Sequence, residues 1–91
     1  MEQLCDIRRL IHEGQVAEAI RALDSLLDTD FPARDEAYYL RGNAYRKQAD
    51  WQQALNDYQR AADLNPDSPA VSARRALLDI LEFYNKDMYN H

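Results

Sequence analysis

The chain has 91 residues, 46% of them hydrophobic and 30% charged, which suits one small folded domain rather than a disordered segment. Its formal net charge of −5 argues against nucleic-acid binding, because contacts to phosphates need a surplus of Lys and Arg. There is no run of 18 apolar residues and no charged-then-apolar leader, so we expect no membrane span, no signal peptide and a cytoplasmic location.

Five helices are predicted in chain order, since two glycines and three prolines leave few breaks. The first covers about 2–13, where apolar residues recur at helical spacing, and Gly14 ends it as a left-handed cap. The second covers about 16–29 and ends before Pro32. The third and fourth follow within residues 35–65, with Asp50 as N-cap of the fourth. Ser68 is the predicted N-cap of a fifth helix, which runs from about 70 to 85 or beyond.

Segment 35–66 carries small, aromatic and proline residues at fixed intervals. They are Tyr38, Gly42, Tyr45, Ala54, Tyr58, Ala61 and Pro66. This spacing resembles the tetratricopeptide repeat (TPR), a helix–turn–helix unit. The resemblance implies an all-α, right-handed α-α superhelix of five helices, arranged as two antiparallel hairpins plus a C-terminal helix. It also implies a protein whose task is to hold other proteins.

The domain organisation follows from laying the segments over one another. Pro32 and Pro66 are 34 residues apart, and Gly42 lies 34 residues before Ala76, another small residue. We therefore expect a single TPR-like domain over 1–91, with repeat one at about 1–31, repeat two at 35–68, and a third-repeat or capping helix at about 69–88.

The expected core of the full repeat is a close crossing of two helices. Gly42 and Ala54 are predicted to face each other there, since small side chains let helix axes approach to about 8–10 Å. Tyr45, Tyr58 and Trp51 are predicted to fill the space around the crossing.

Arg41 stands where the repeat pattern prefers leucine, and two interpretations are open. It either pairs with Asp57 on the next helix, or its stem covers the core edge while its head stays in water.

Catalytic chemistry lacks the residues it needs. Cys5 is the only cysteine, so no internal disulfide and no multi-thiolate zinc site can form. It lies about 10 Å along a helix from His12, too far for a Cys–His dyad, and His91 is the only other histidine. No glycine-rich phosphate loop is present. We expect no enzyme activity, no catalytic residue, no metal and no cofactor.

The charge is unevenly distributed between the helices. The second helix and the fourth with its flanks each sum to −3, whereas the third sums to +1. In TPR proteins the first helix of each repeat lines a concave groove, which the resemblance therefore makes neutral to basic. The candidate residues for binding a peptide in this groove are Arg8, His12, Tyr39, Asn43, Arg46, Lys47, Arg74 and Leu77.

Asn43 suits a peptide backbone, and Arg46 and Lys47 suit a carboxylate. The alternative is a solvated face with scattered charges. The two-carboxylate clamp by which some TPR proteins hold chaperones is disfavoured, because only Arg74 matches its pattern.

The predicted fifth helix is apolar around most of its circumference, more than one neighbouring helix can cover. Either the tail folds back over it or another chain does. The main hypothesis is an adaptor that binds a segment of another protein. The alternative is a self-associating module that forms a homodimer through Leu77, Ile80, Leu81, Tyr84 and Met88.

Overall fold

The computed structural model describes the backbone of residues 2–89 and the side chains of residues 3–83. Within residues 2–89, five helices follow one another: α1 (Glu2–His12), α2 (Val16–Leu27), α3 (Arg34–Lys47), α4 (Trp51–Leu64) and α5 (Ala70–Tyr89). Each helix packs on the next, and α1 also packs on α3. This confirms the predicted all-α, TPR-like fold.

The helix ends are fixed by local hydrogen bonds. Gly14 adopts a φ of 87°, and the N–H of Gln15 donates to the Leu10 carbonyl at 2.9 Å, which closes α1 as predicted. The Asp50 carboxylate accepts from the N–H of Gln53 at 3.4 Å at the start of α4. The Ser68 hydroxyl accepts from the N–H of Ala70 at 3.1 Å at the start of α5.

Buried side chains form two clusters that meet at Tyr39. One cluster joins α1, α2 and α3, and the other joins α3, α4 and α5. Tyr39 packs against both and lies 6.1 Å from Tyr58, measured between ring centroids. The two hairpins are therefore connected through the side chains of α3, which places α3 at the centre of the molecule.

The crossing of α3 and α4 is tight at Gly42, where the closest partner is Tyr58 and not the expected Ala54. A Cβ atom on Gly42 would lie 2.6 Å from two carbon atoms of the Tyr58 ring. Both Tyr58 and Ala54 are fully buried. Gly42 is therefore required by an aromatic ring packed on the α3 backbone.

The prediction that Trp51 fills the core was wrong. Its side chain is 41% exposed, because it stands at the first position of α4, where the helix emerges from the packed interior.

Arg41 pairs with Asp57, which confirms the first of the two interpretations. Its Nε and Nη2 donate to the two carboxylate oxygens of Asp57 at 2.7 and 2.9 Å, and Nη1 donates to Asp24 at 2.8 Å. Asp57 is completely buried and also accepts from Arg60 at 2.8 Å. The hydrogen bond to Asp57 raises the pKa of Arg41 above its ordinary value. One side chain of α3 thus connects α2 to α4 and fixes how the two hairpins are set against each other.

Candidate functional site

A groove of about 660 Å³ runs between α1 and α3 and ends at the start of α4. Its floor is apolar and is formed by Ile11 and Leu40, which are both buried. Polar and aromatic side chains form the walls and one end. They are Arg8, His12, Tyr39, Asn43, Arg46, Lys47 and Trp51.

The walls of the groove carry positive charge. Arg8, Arg46 and Lys47 line it together with His12, and none of the nine described lining residues is a carboxylate. Glu36 offsets one of these charges, because it accepts from Arg8 at 3.3 Å at an exposed position beside the groove. The groove is therefore basic within a chain whose net charge is −5.

Lys47 has a structural role that the sequence did not reveal. Its Nζ donates to the backbone carbonyl of Ile11 at 3.1 Å, in the last turn of α1. Carbonyls at a helix C-terminus lack partners within the helix, so this bond stabilises the end of α1. It also fixes the width of the groove at this point, since Lys47 belongs to α3.

A buried tyrosine of α4 holds the Asn43 side chain in place through a hydrogen bond. The Tyr58 hydroxyl donates to Asn43 Oδ1 at 2.5 Å. Burial raises the pKa of Tyr58, and the nearby Arg46 guanidinium offsets part of this rise, so the phenol stays protonated and remains a donor at neutral pH. Its oxygen accepts this bond, which leaves the Nδ2 amide of Asn43 as a hydrogen-bond donor on a residue that lines the groove.

These side chains supply recognition chemistry. The amide of Asn43 can donate to a backbone carbonyl, and the guanidinium of Arg46 can bind a carboxylate. Arg46 is half-buried and has no carboxylate partner among the described side chains. Within residues 3–83, no cluster of three or more His, Cys, Asp or Glu side chains is arranged to hold a metal ion. No helix in the described part of the chain is both long enough and apolar enough to cross a membrane.

The structure brings six of the eight predicted groove residues together. Arg8, His12, Tyr39, Asn43, Arg46 and Lys47 all line the same groove. Leu77 is absent from it because its side chain is 1% exposed and packs in the core between α4 and α5. Arg74 lines a separate depression between α4 and α5. The expectation that Leu77 is exposed in the groove was wrong, because α5 turns this side chain toward α4.

The residues of the self-association hypothesis are also dispersed. Leu77 is buried and Leu81 is partly buried against the same core, whereas Ile80 is 41% exposed. Tyr84 and Met88 lie outside the described side chains.

Trp51 is one of three groove residues that were not predicted from the sequence, together with Ile11 and Leu40 of the floor. It was assigned to the core because it lies near the helix crossing. Its place directly after the N-cap Asp50 does not by itself predict exposure, since Ala70 at the first position of α5 is fully buried.

The fold and the groove define a class of protein, the helical-repeat interaction module. The family model described as tetratricopeptide repeat matches residues 35–68. The solution NMR structure of Bacteroides fragilis protein BF1650 is similar to this chain, with 59% sequence identity, a TM-score of 0.88, and coverage of 99% of this chain and 91% of that one. No curated protein sequence matches the chain. The chain belongs to the tetratricopeptide repeat family, whose domains are in general non-catalytic protein–protein interaction modules.

Proposed function

We propose that this protein is a non-catalytic adaptor that binds a carboxylate-bearing segment of another protein in the groove between α1 and α3. The observation that carries the proposal is the charge of the groove. Its lining has three Lys or Arg side chains and no carboxylate, in a chain with 11 basic and 16 acidic residues. An acidic surface around a basic groove directs an acidic segment into the groove and repels it elsewhere.

Arg46 and Asn43 are the residues that contact the segment in this proposal. Arg46 binds a carboxylate, and Asn43 donates its amide to a backbone carbonyl of the segment. The hydrogen bond from Tyr58 holds the Asn43 side chain in one orientation before the partner arrives. Preorganisation of this kind reduces the entropy lost on binding.

The test uses reversal of charge at Arg46. The Arg46→Glu variant, the Arg21→Glu variant and the unchanged protein are immobilised and exposed to extract of the native cell. Arg21 is the matched control because it is an exposed arginine on α2, outside the groove. We leave Lys47 unchanged because its bond to Ile11 supports α1.

Partners of the groove are the proteins that the unchanged chain and Arg21→Glu both retain. We expect their affinity for Arg46→Glu to fall about tenfold or more, since attraction becomes repulsion at a partly desolvated surface. Circular dichroism should show the same helicity in all three proteins. Partners that bind Arg46→Glu as tightly as the unchanged protein would place the working surface elsewhere and refute the proposal.

Self-association through α5 is the second candidate. Exposed apolar side chains favour it, since Leu78, Ile80 and Phe83 are all exposed on this helix. Sedimentation at micromolar concentration tests it, with Ile80→Asp as the variant. Leu77→Asp is unsuitable because Leu77 is buried, so that this change would unfold the core. A dimer that Ile80→Asp dissociates would support self-association, and a monomer at all concentrations would refute it.

A further inference from the structure

A second, more apolar depression lies between the start of α4 and the middle of α5. It is lined by Ala49, Asp50, Trp51, Gln52, Leu55, Ile80 and Leu81. Leu55 and Leu81 are partly buried against the core, whereas Trp51 and Ile80 are each 41% exposed. We call this depression the apolar slot. It exposes an indole and a branched aliphatic side chain to solvent. Contact with an apolar group would bury this surface, which is favourable in free energy.

The apolar slot and the basic groove adjoin each other at Trp51, which lines both. The turn before α4 fixes the start of this helix, because the N–H of Asp50 donates to the Tyr45 carbonyl at 2.9 Å and the N–H of Ala49 donates to the Arg46 carbonyl at 3.0 Å. The backbone that carries Trp51 is thereby tied to the last turn of α3, which carries Arg46. The distance between the two surfaces is therefore set by the fold.

The charges of the two surfaces differ. The groove has basic walls, and the apolar slot has one charged residue, the carboxylate of Asp50 at its rim. A carboxylate on a bound segment is attracted by the groove and repelled by Asp50. An apolar side chain finds exposed partners in the slot. The two surfaces therefore select different parts of one segment, and they fix which part lies where.

We infer that the apolar slot is a second binding subsite for the same partner segment, and that the segment combines carboxylates with a large aliphatic or aromatic side chain a few residues away. The carboxylates lie in the groove between α1 and α3, and the apolar side chain lies beyond Trp51, against Ile80 and Leu55. This inference rests on the proposed function, since it names the chemistry of the segment that the groove binds. Trp51 contacts the segment from both sides and anchors it, as tryptophan often does in interfaces.

Four series of synthetic, tryptophan-free peptides test the inference. The first series has two glutamates and one leucine, separated by one to four Gly or Ser residues, in both chain directions. Each spacer residue adds about 3.3–3.6 Å to the separation between the glutamates and the leucine. The series therefore covers a range of distances between the groove and the apolar slot. In the second series serine replaces leucine, in the third glutamine replaces glutamate, and in the fourth both changes are made.

The chain supplies its own reporter. Trp51 is the only tryptophan, so a ¹⁵N–¹H spectrum contains a single indole Nε1–H signal, and titration to millimolar peptide detects weak binding. We expect the best member of the first series to shift this signal to saturation. The second series should bind about fivefold more weakly. Its peptides lack the leucine, which in the open slot contributes about half of the binding free energy of a fully buried side chain. The third series should bind about tenfold more weakly or worse.

Variants assign each effect to its surface. Ile80→Ser should weaken the first series about fivefold and leave the second series unchanged. Val71→Ser is the matched control, because Val71 is an exposed aliphatic residue on the same helix that lines a different depression. It should change neither series. Arg46→Glu should weaken the first and second series alike.

The outcomes separate the inference from the proposed function. If the first two series bind equally, or if the indole signal stays in place at saturation, the apolar slot is not a subsite, while sensitivity to Arg46→Glu still supports the groove. If Arg46→Glu leaves binding unchanged, the proposed function fails. If no series binds at millimolar concentration, both fail.

Discussion

Replacing Gly42 by alanine tests how closely α3 packs on α4, because close packing makes this change lower the free energy of unfolding rather than raise it. Alanine is favoured over glycine in a helix by about 1 kcal/mol, so at an open position this change stabilises a protein. At Gly42 the added methyl group would lie 2.6 Å from two ring carbons of Tyr58, whereas ordinary contacts begin at 3.4 Å. The ring or the helix must therefore move by about 0.8 Å.

The Tyr58 ring has little freedom to move. It is fully buried, and its hydroxyl is bonded to Asn43. Overpacking of this kind costs about 1–3 kcal/mol, which exceeds the gain in helix propensity. We expect Gly42→Ala to lower the free energy of unfolding by about 1 kcal/mol, a large fraction of the stability of a small domain.

Urea denaturation followed by circular dichroism measures the change, and a double-mutant cycle assigns it to the ring. In a Tyr58→Leu background the ring is gone, so Gly42→Ala should become stabilising by about 1 kcal/mol. In a Tyr58→Phe background the ring remains, so the change should stay destabilising. A Gly42→Ala variant that is more stable than the unchanged protein would refute the packing described above.

Two further predictions concern ionisable groups. Asp57→Ala leaves the Arg41 guanidinium without its buried partner and should cost about 3–5 kcal/mol, or unfold the domain. Asp24→Ala removes the half-exposed partner of the same guanidinium and should cost at most about 1 kcal/mol in the same urea titration; equal costs would contradict the role of burial. The second prediction is a loss of stability at alkaline pH. Burial raises the pKa of Tyr58 and Tyr45 above the ordinary value of 10.0, so the folded state keeps protons that the unfolded state releases. The contribution of these two tyrosines to the free energy of unfolding should be constant below about pH 10 and should fall as the pH rises above 10. The fall should be shallower in Tyr58→Phe. An identical slope in that variant would contradict the assignment.

Most of the fold could be predicted from residues that act locally. Gly14, Asp50 and Ser68 end or begin helices through their own backbone or side-chain bonds, and all three do so in the structure. The Arg41–Asp57 pair was one of two interpretations of Arg41, reached because a buried guanidinium needs a nearby carboxylate, and the structure supports it. These predictions succeed because each depends on chemistry that one or two residues carry.

The sequence does not predict how α5 is rotated about its own axis. Helix α5 has apolar residues on several sides, so its pattern does not identify the side that packs on α4, and Leu77 was misplaced for this reason. The error for Trp51 is the opposite one, because it was expected in the core and is exposed. Spacing predicts the position of a residue in a repeat but not how completely its neighbours cover it. The bond from Lys47 to the end of α1 joins residues 36 apart, a relation that only the packed structure reveals.

Site-specific photo-crosslinking in the native cell tests the adaptor claim most directly. A photoreactive amino acid replaces His12, which is exposed in the groove, and in a second protein it replaces Arg21, which is exposed on α2. Mass spectrometry then identifies the crosslinked protein and the segment within it. The account predicts that His12 crosslinks to an acidic segment of another protein and that Arg21 does not. Crosslinks from Arg21 alone, or to the same segment with equal yield from both positions, would contradict it.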